Sequence, residues 1–221
     1  MNEVLSVFDI IGPRMTGPSS SHTAGAVRLG NAALRLLGKP VSEAYFTLYG
    51  SFATTGKGHG TDKALIAGVL GMQPDDSRIR DAYSAAKERD VYVSVDYSDE
   101  PCRHPNTAGI RLVAESGEEI QLEGESIGGG RILVVEINGL DIETTFDYPT
   151  LIVQHKDEPG VIAEVTHVLA QLKVNIAFMR VFRHGKGDDA YMSIETDTPV
   201  TKDMVNIIKS LCHSVIKLFA V

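Results

Sequence analysis

The sequence predicts an α+β protein of two domains, residues 1–146 and 148–221. Three observations carry that expectation. The 221 residues are 43% hydrophobic and 23% charged, a globular composition at a length suited to one or two domains. Amphipathic helical stripes are interspersed with short strand-like runs, so neither period dominates. The chain also changes character at Asp147-Tyr148-Pro149. Before it, glycine and small residues are frequent. After it, six elements follow as strand, helix, strand, strand, helix, strand, the order of a ferredoxin-like βαββαβ unit.

In the first region, residues 22–37 read as a helix. Ala26, Leu29, Ala33, Leu36 and Leu37 fall on one face, Arg28, Asn31 and Arg35 on another, and Gly38 and Pro40 end it. A strand at 44–49 runs into a glycine-rich loop. Helices are expected over 62–70, with Thr61 as N-cap, and over 76–89. Strands are expected near 91–97, 109–114 and 119–126. Gly128-Gly129-Gly130 suits a strand bend or a close backbone contact. Ile137-Asn138-Gly139-Leu140 is a hairpin signal, because Asn-Gly fits a type I′ turn.

In the second region the expected elements are strand 150–155, helix 160–173, strands 176–184 and 189–196, helix 201–211 and strand 214–219. The stripe Ile162, Val165, Val168, Leu169 and Leu172 marks the first helix most clearly. Asp157 is a candidate cap for it and Pro159 suits a first turn. His184-Gly185-Lys186-Gly187-Asp188 reads as a hairpin turn. Met192, Ile194 and Thr196 should face away from Tyr191, Ser193 and Glu195.

Composition excludes several function classes. A formal charge of −8 argues against a broad nucleic-acid or anionic-membrane surface. No apolar run approaches the roughly 20 residues of a membrane-spanning helix. The acidic start, Met1-Asn2-Glu3-Val4, lacks the basic region and cleavage site of a signal peptide. Two cysteines, Cys102 and Cys212, make neither a disulfide framework nor a CxxC metal site. They also fall short of the three or four thiolates that an iron–sulfur cluster takes. The expectation is a cytoplasmic protein with no metal ligands of its own.

Four segments can carry chemistry. Gly17-Pro18-Ser19-Ser20-Ser21-His22-Thr23 opens the first helix. Its free first-turn amides and three hydroxyls suit a carboxylate or phosphate. The helix dipole favours a neutral, proton-accepting His22. A bare cap accounts for one serine; three and a histidine exceed it. The second segment, Gly50 to Asp62, resembles a P-loop but has the wrong glycine spacing and no Ser/Thr after the lysine. It offers His59 between two glycines, either a ligand loop or a flexible loop with a solvent-facing histidine. Third, Cys102-Arg103-His104-Pro105-Asn106-Thr107 is a turn whose polar side chains could meet a small ligand or simply hold the turn. Fourth, Asp157-Glu158-Pro159-Gly160-Val161-Ile162 ends a strand and opens a helix, with Asn175 ahead of the next strand. It suits an amino acid's carboxylate and ammonium, or is only a tight turn. With no acid–base pair there, its functional option is regulation.

Together these residues point to a known family. Residues 1 to about 146 resemble the β subunit of bacterial iron–sulfur-dependent L-serine dehydratases. The resemblance lies in Ser6-Val7-Phe8-Asp9-Ile10-Ile11-Gly12-Pro13, Gly17 to Gly25, Gly58-His59-Gly60-Thr61-Asp62 and His104-Pro105-Asn106-Thr107, in that order. Residues 148–221 look like an ACT domain, an amino-acid-sensing module, through Asp157-Glu158-Pro159-Gly160.

The resemblance implies a lyase that converts L-serine to pyruvate and ammonia with a 4Fe-4S cluster. An α portion holds that cluster through three cysteines, with one iron open for substrate. This chain would then be the β half, and a separate cluster-bearing α subunit its partner. His59 is the candidate base and His22 the second choice. Ser19, Ser20, Ser21, Thr23, Thr61, Asp62, His104, Asn106 and Thr107 would bind substrate. Asp157, Pro159, Gly160, Val161, Ile162 and Asn175 would bind L-serine or another amino acid as effector. Potassium is a further activator that the resemblance admits, and a homodimer through the ACT or β domains is expected. The first region also resembles the serine-binding domain of some phosphoglycerate dehydrogenases, which implies a rival: a regulatory subunit with no chemical role.

Overall fold

The computed structural model describes residues 14–183 and 185–221. The segment Ser6 to Pro13 and His184, both named above, lie outside the described residues. The α+β expectation holds. The chain divides between Val135 and Glu136 into two compact units.

The first helix begins with one wide π turn, Ser20–Gly25, and continues as α1 (Ala26–Leu37). Ser19 caps it, its Oγ accepting the His22 amide hydrogen at 3.1 Å. Gly38 ends it at φ +67°, the left-handed conformation that glycine adopts without strain. Strand β1 (Val41–Leu48) starts three residues earlier than expected.

The glycine-rich loop is instead a helix, α2 (Gly50–His59). Its composition argues against a helix; contacts from outside override that. The Ser51 and Phe52 amides donate to the Pro105 carbonyl at 2.6 and 3.3 Å, capping the start from a distant segment. Phe52 is fully buried, and the Thr54 and Thr55 hydroxyls donate to the Gly50 and Ser51 carbonyls. Gly60 alone separates α2 from α3 (Thr61–Val69). Gly60, not Thr61, is therefore the cap residue of α3. The expected helix at 76–89 is a 3₁₀ turn (Ser77–Asp81) followed by α4 (Ala82–Glu88).

Strands β2 (Tyr92–Tyr97), β3 (Thr107–Ala114), β4 (Glu119–Gly128), β5 (Arg131–Ile137) and β6 (Leu140–Thr144) follow. The sheet order is β2-β1-β3-β4-β5-β6, with β2 parallel to β1 and β3 antiparallel to both β1 and β4. Asn138 and Gly139 both take positive φ, 52° and 79°, as a type I′ turn requires. Helix α1 lies over β3 and β4 and crosses α3 closely. At that crossing a Cβ on Gly68 would fall 2.2 Å from the Val27 carbonyl oxygen, so only glycine fits. Leu29, Leu36, Phe46, Leu65, Ile110 and Leu112 form the centre of this core.

The second unit, besides β6, contains β7 (Thr150–Lys156), α5 (Val161–Gln171), β8 (Ile176–Arg183), β9 (Asp189–Thr196), α6 (Lys202–Leu211) and β10 (Val215–Ala220). The βαββαβ order is as expected, in a sheet β10-β7-β9-β8 whose neighbours are all antiparallel. Val161, Val165 and Leu169 of α5 pack on Leu151, Val153, Met192 and Ile194. Asp157 does not cap α5; Gly160, at φ +101°, precedes its first residue, and Pro159 lies outside the helix. Among the described residues no helix is long and apolar enough to cross a membrane.

Candidate active site

Four segments far apart in sequence close into a ring in the first unit. Ser126 Oγ donates to the Ser21 carbonyl at 3.0 Å, and the Ser126 amide donates to the Asn106 carbonyl at 2.9 Å. The Pro105 carbonyl takes the first amides of α2. Ser51 and Thr55 of α2 then return to the start, their hydroxyls 3.2 and 3.0 Å from His22 Nε2. The approach is tight. A Cβ on Gly25 would fall 2.0 Å from Ser126 Oγ, and one on Gly50 would fall 2.7 Å from the Pro105 carbonyl oxygen.

His22 and His59 meet inside this ring with centroids 4.7 Å apart. His22 is 8% exposed and packs edge-on against Phe52. Its Nδ1 faces Ser21 Oγ at 3.2 Å and Ser19 Oγ at 3.4 Å. Burial first, and the neighbouring His59 second, hold its pKa below the usual histidine value, against the effect of a Ser51 hydrogen bond. His59 is exposed at the last position of α2. Its Nδ1 lies 3.0 Å from the Thr55 carbonyl. A carbonyl only accepts, so Nδ1 carries the hydrogen and Nε2 of the neutral ring is a bare acceptor.

The other expected site residues divide. Ser19 and Ser21 line His22, and Ser20 opens the π turn. Thr23 and Thr61 are buried with hydroxyls that have no partner among the described residues. Asp62 accepts the Tyr83 hydroxyl at 2.9 Å, and burial followed by that bond pushes the Tyr83 pKa up. His104 Nδ1 accepts the Asn106 amide, Thr107 donates to the His104 carbonyl, and Asn106 Nδ2 donates to the Ser126 carbonyl. The 104–107 turn thus holds itself and fastens to the ring. Ser51, Thr55 and Ser126 were not among the expected residues. Ser51, Thr55 and His59 sit at i, i+4 and i+8, a signal visible only once the segment is read as a helix.

Comparison with known proteins is consistent across the chain. Residues 6–91 match the family model described as serine dehydratase beta chain, and residues 149–213 match the ACT domain. A probable L-serine dehydratase beta chain of Bacillus subtilis (strain 168) is 43% identical over 206 residues, 93% of each chain. An L-serine dehydratase beta chain of Peptoniphilus asaccharolyticus is 37% identical over 206 residues, 92% of each. The chain belongs to the family of L-serine dehydratase beta chains. An L-serine dehydratase of Escherichia coli (strain K12) is 34% identical over 172 residues, which are 66% of this chain but 37% of that protein.

In the ACT domain of this beta chain, the Asp157 carboxylate accepts from Arg183 at 2.9 Å and from the Gly187 amide at 3.3 Å. The Arg183 bond and then the Gly187 bond hold its pKa below the usual carboxylate range. Val161 is buried and Ile162 exposed at the start of α5. Asn175 donates to Asp197 at 2.7 Å. It is not beside Asp157. The pairings Ile176 with Thr196 and Arg183 with Ala190 put Asn175 at one end of the sheet and the Asp157 loop at the other, roughly 20 Å away at strand spacing. Buried His155, next to that loop, has an Nε2 with no partner among the described residues.

Proposed function

We propose that this beta chain is one half of a two-chain L-serine dehydratase of the cytoplasm, converting L-serine to pyruvate and ammonia. Residues 1–146 take part in the chemistry and residues 148–221 sense an amino acid. The observation that carries the reading is the exposed imidazole of His59, its Nδ1 held 3.0 Å from the Thr55 carbonyl so that Nε2 faces away from α2's backbone, beside a ring of hydroxyls, in a chain of this family.

The division of labour follows from the donor set. A 4Fe-4S cluster, which the family resemblance implies, does not fit this chain's own residues. Cys102 is half-exposed and Cys212 buried in the other unit. Among the described residues no three His, Cys, Asp or Glu gather into a metal-binding group. The cluster is therefore assigned to a cysteine-bearing α partner, and any potassium requirement to the assembled enzyme.

This chain's residues then have defined tasks. The Ser19 and Ser21 hydroxyls, with Ser20 at the head of the π turn, take the substrate carboxylate. His59 Nε2 accepts the α-proton of serine. With that proton on His59, the β-hydroxyl leaves as hydroxide; the resulting enamine tautomerises to an imine, which water hydrolyses to pyruvate and ammonia. His22, neutral and buried, orders the hydroxyls beside it. In the ACT domain the Asp157 to Ile162 loop binds serine or another amino acid. Antiparallel pairing of the edge strand β8 with a second copy would bring Asn175 of one chain toward the Asp157 loop of the other, which supports a homodimer.

The test is reconstitution. The chain is mixed with a cysteine-bearing α chain of the same family and serine turnover is followed. Turnover that requires both chains and vanishes in His59→Gln supports the reading. Full turnover in His59→Gln, with serine still bound, would favour the regulatory subunit instead.

A further inference from the structure

We infer that Thr55 is a positioning residue whose hydroxyl and carbonyl together set the ring hydrogens of both histidines, His22 as the Nε2–H form and His59 as the Nδ1–H form. The functional part of this rests on His59 being the base; the ring hydrogens can be measured without that assumption.

The argument is a count of hydrogens. The Thr55 hydroxyl has one. Its shortest contact is the Ser51 carbonyl at 2.8 Å, where only Thr55 can donate. The Thr55 oxygen is then left to accept from His22 Nε2, 3.0 Å away, so Nε2 carries the ring hydrogen. His22 Nδ1 becomes an acceptor and takes the Ser21 hydroxyl at 3.2 Å. Ser21 Oγ in turn takes the Ser19 hydroxyl at 3.3 Å. The result is one directional chain, Ser19 to Ser21 to His22 to Thr55 to the Ser51 carbonyl, beside which Ser51 Oγ, 3.2 Å from both His22 Nε2 and Thr55 Oγ1, is a second acceptor for the Nε2 hydrogen. It requires a neutral His22, which burial favours.

The other end of Thr55 acts on the second ring. Its carbonyl takes the Nδ1 hydrogen of His59 at 3.0 Å, which leaves Nε2 bare. One residue thus makes the buried ring a donor toward α2 and the exposed ring an acceptor toward the substrate side. The two histidines are not interchangeable: among the described residues, His22 is bound on both nitrogens and His59 on one.

The experiment uses the full chain with ring-¹⁵N histidine at neutral pH, the signals assigned through His22→Asn and His59→Asn. The expected spectrum shows His22 as Nε2–H and His59 as Nδ1–H. Thr55→Val keeps the side-chain shape and the carbonyl, so it should scramble His22 between its two forms and leave His59 unchanged; Thr55→Ser should restore His22. A charged His22, an Nδ1–H His22, or a His22 indifferent to Thr55→Val overturns the inference. In the reconstituted dehydratase, Thr55→Val should lower kcat roughly 10-fold or more with little change in KM, the scale of effect from misplacing a reacting group, and Thr55→Ser should recover it. If the spectra respond as expected and turnover does not, the hydrogen assignment stands and the role of the Thr55 hydroxyl in turnover falls, while His59→Gln alone tests the base.

Discussion

His22 and His59 stack with ring centroids 4.7 Å apart and planes inclined by 37°, yet their surroundings differ. His22 has hydroxyls on both ring nitrogens and is buried, so protonation is opposed by desolvation. His59 has a carbonyl on one nitrogen and solvent around it. Two titratable groups whose environments separate their roles are a recurring basis for acid–base chemistry. Here the separation comes from a helix that composition alone argues against.

The first prediction concerns the base. His59→Gln keeps a hydrogen-bonding side chain but cannot take a proton at neutral pH. Serine turnover of the assembled enzyme should fall about 10²- to 10⁴-fold, the usual range for general-base catalysis, while co-elution of the two chains on gel filtration is unchanged.

A second prediction uses the His22 pKa, which is lowered in the fold. As pH falls below about 6.5, the ordinary histidine value, the unfolded chain binds a proton at His22 that the folded chain resists. Stability then decreases with falling pH until the lower folded pKa is passed. The His22 contribution is present in full above that ordinary value and lost toward acid. Urea midpoints at neutral and mildly acidic pH should show a larger loss for the wild type than for His22→Asn.

Two glycines should respond in opposite senses. A Cβ on Gly68 meets backbone of α1, with the Val27 oxygen at 2.2 Å and Gly30 Cα at 2.9 Å. Gly68→Ala should therefore destabilise by about 1–3 kcal/mol through overpacking. Gly58 lies inside α2 with nothing within 4 Å of its would-be Cβ. Gly58→Ala should stabilise by roughly 0.5–1 kcal/mol. Chemical denaturation of the full chain measures both.

In the ACT domain, titration calorimetry of the full chain with L-serine should show binding, and Asp157→Ala should weaken it about tenfold, the scale of one hydrogen bond. Arg183→Gln should act in the same direction, since Arg183 holds the Asp157 carboxylate in place. Absence of heat with serine and with other amino acids would leave the domain a pairing element.

Finally, the purified chain should contain no iron and show no serine turnover alone. A cysteine-bearing α chain should restore both the iron–sulfur absorbance of the complex and its activity.

Much of the fold was legible in sequence. The apolar stripe of α5 reports burial at Val165, Val168 and Leu169, although its first member, Ile162, is exposed. The alternation along β9 separates its two faces but not inside from outside, since Tyr191 and Ser193 are buried as well as Met192 and Ile194. Asn138-Gly139 specified its turn through its own φ preferences. Helix α2 was not legible. Its glycines suggest a loop, and its cap is the Pro105 carbonyl, a backbone atom from a distant turn that leaves no local trace. With α2 unread, Ser51 and Thr55 could not be aligned with His59. The motifs around His22, His59 and His104 could be listed, but their meeting depends on β1 and β3 being neighbours, which no local pattern reveals. Thr61 likewise looked like a cap by residue type, while one glycine already occupies that position.

The separation of Asn175 from the Asp157 loop has a consequence for how the sensor would report. A small amino acid is far shorter than the sheet, so no single molecule of it can touch both within one chain. If both residues grip the effector, the binding unit is a pair of chains, and occupancy depends on chain concentration as well as on effector concentration. Dilution alone would then empty the site, and effector would drive chains together as it binds.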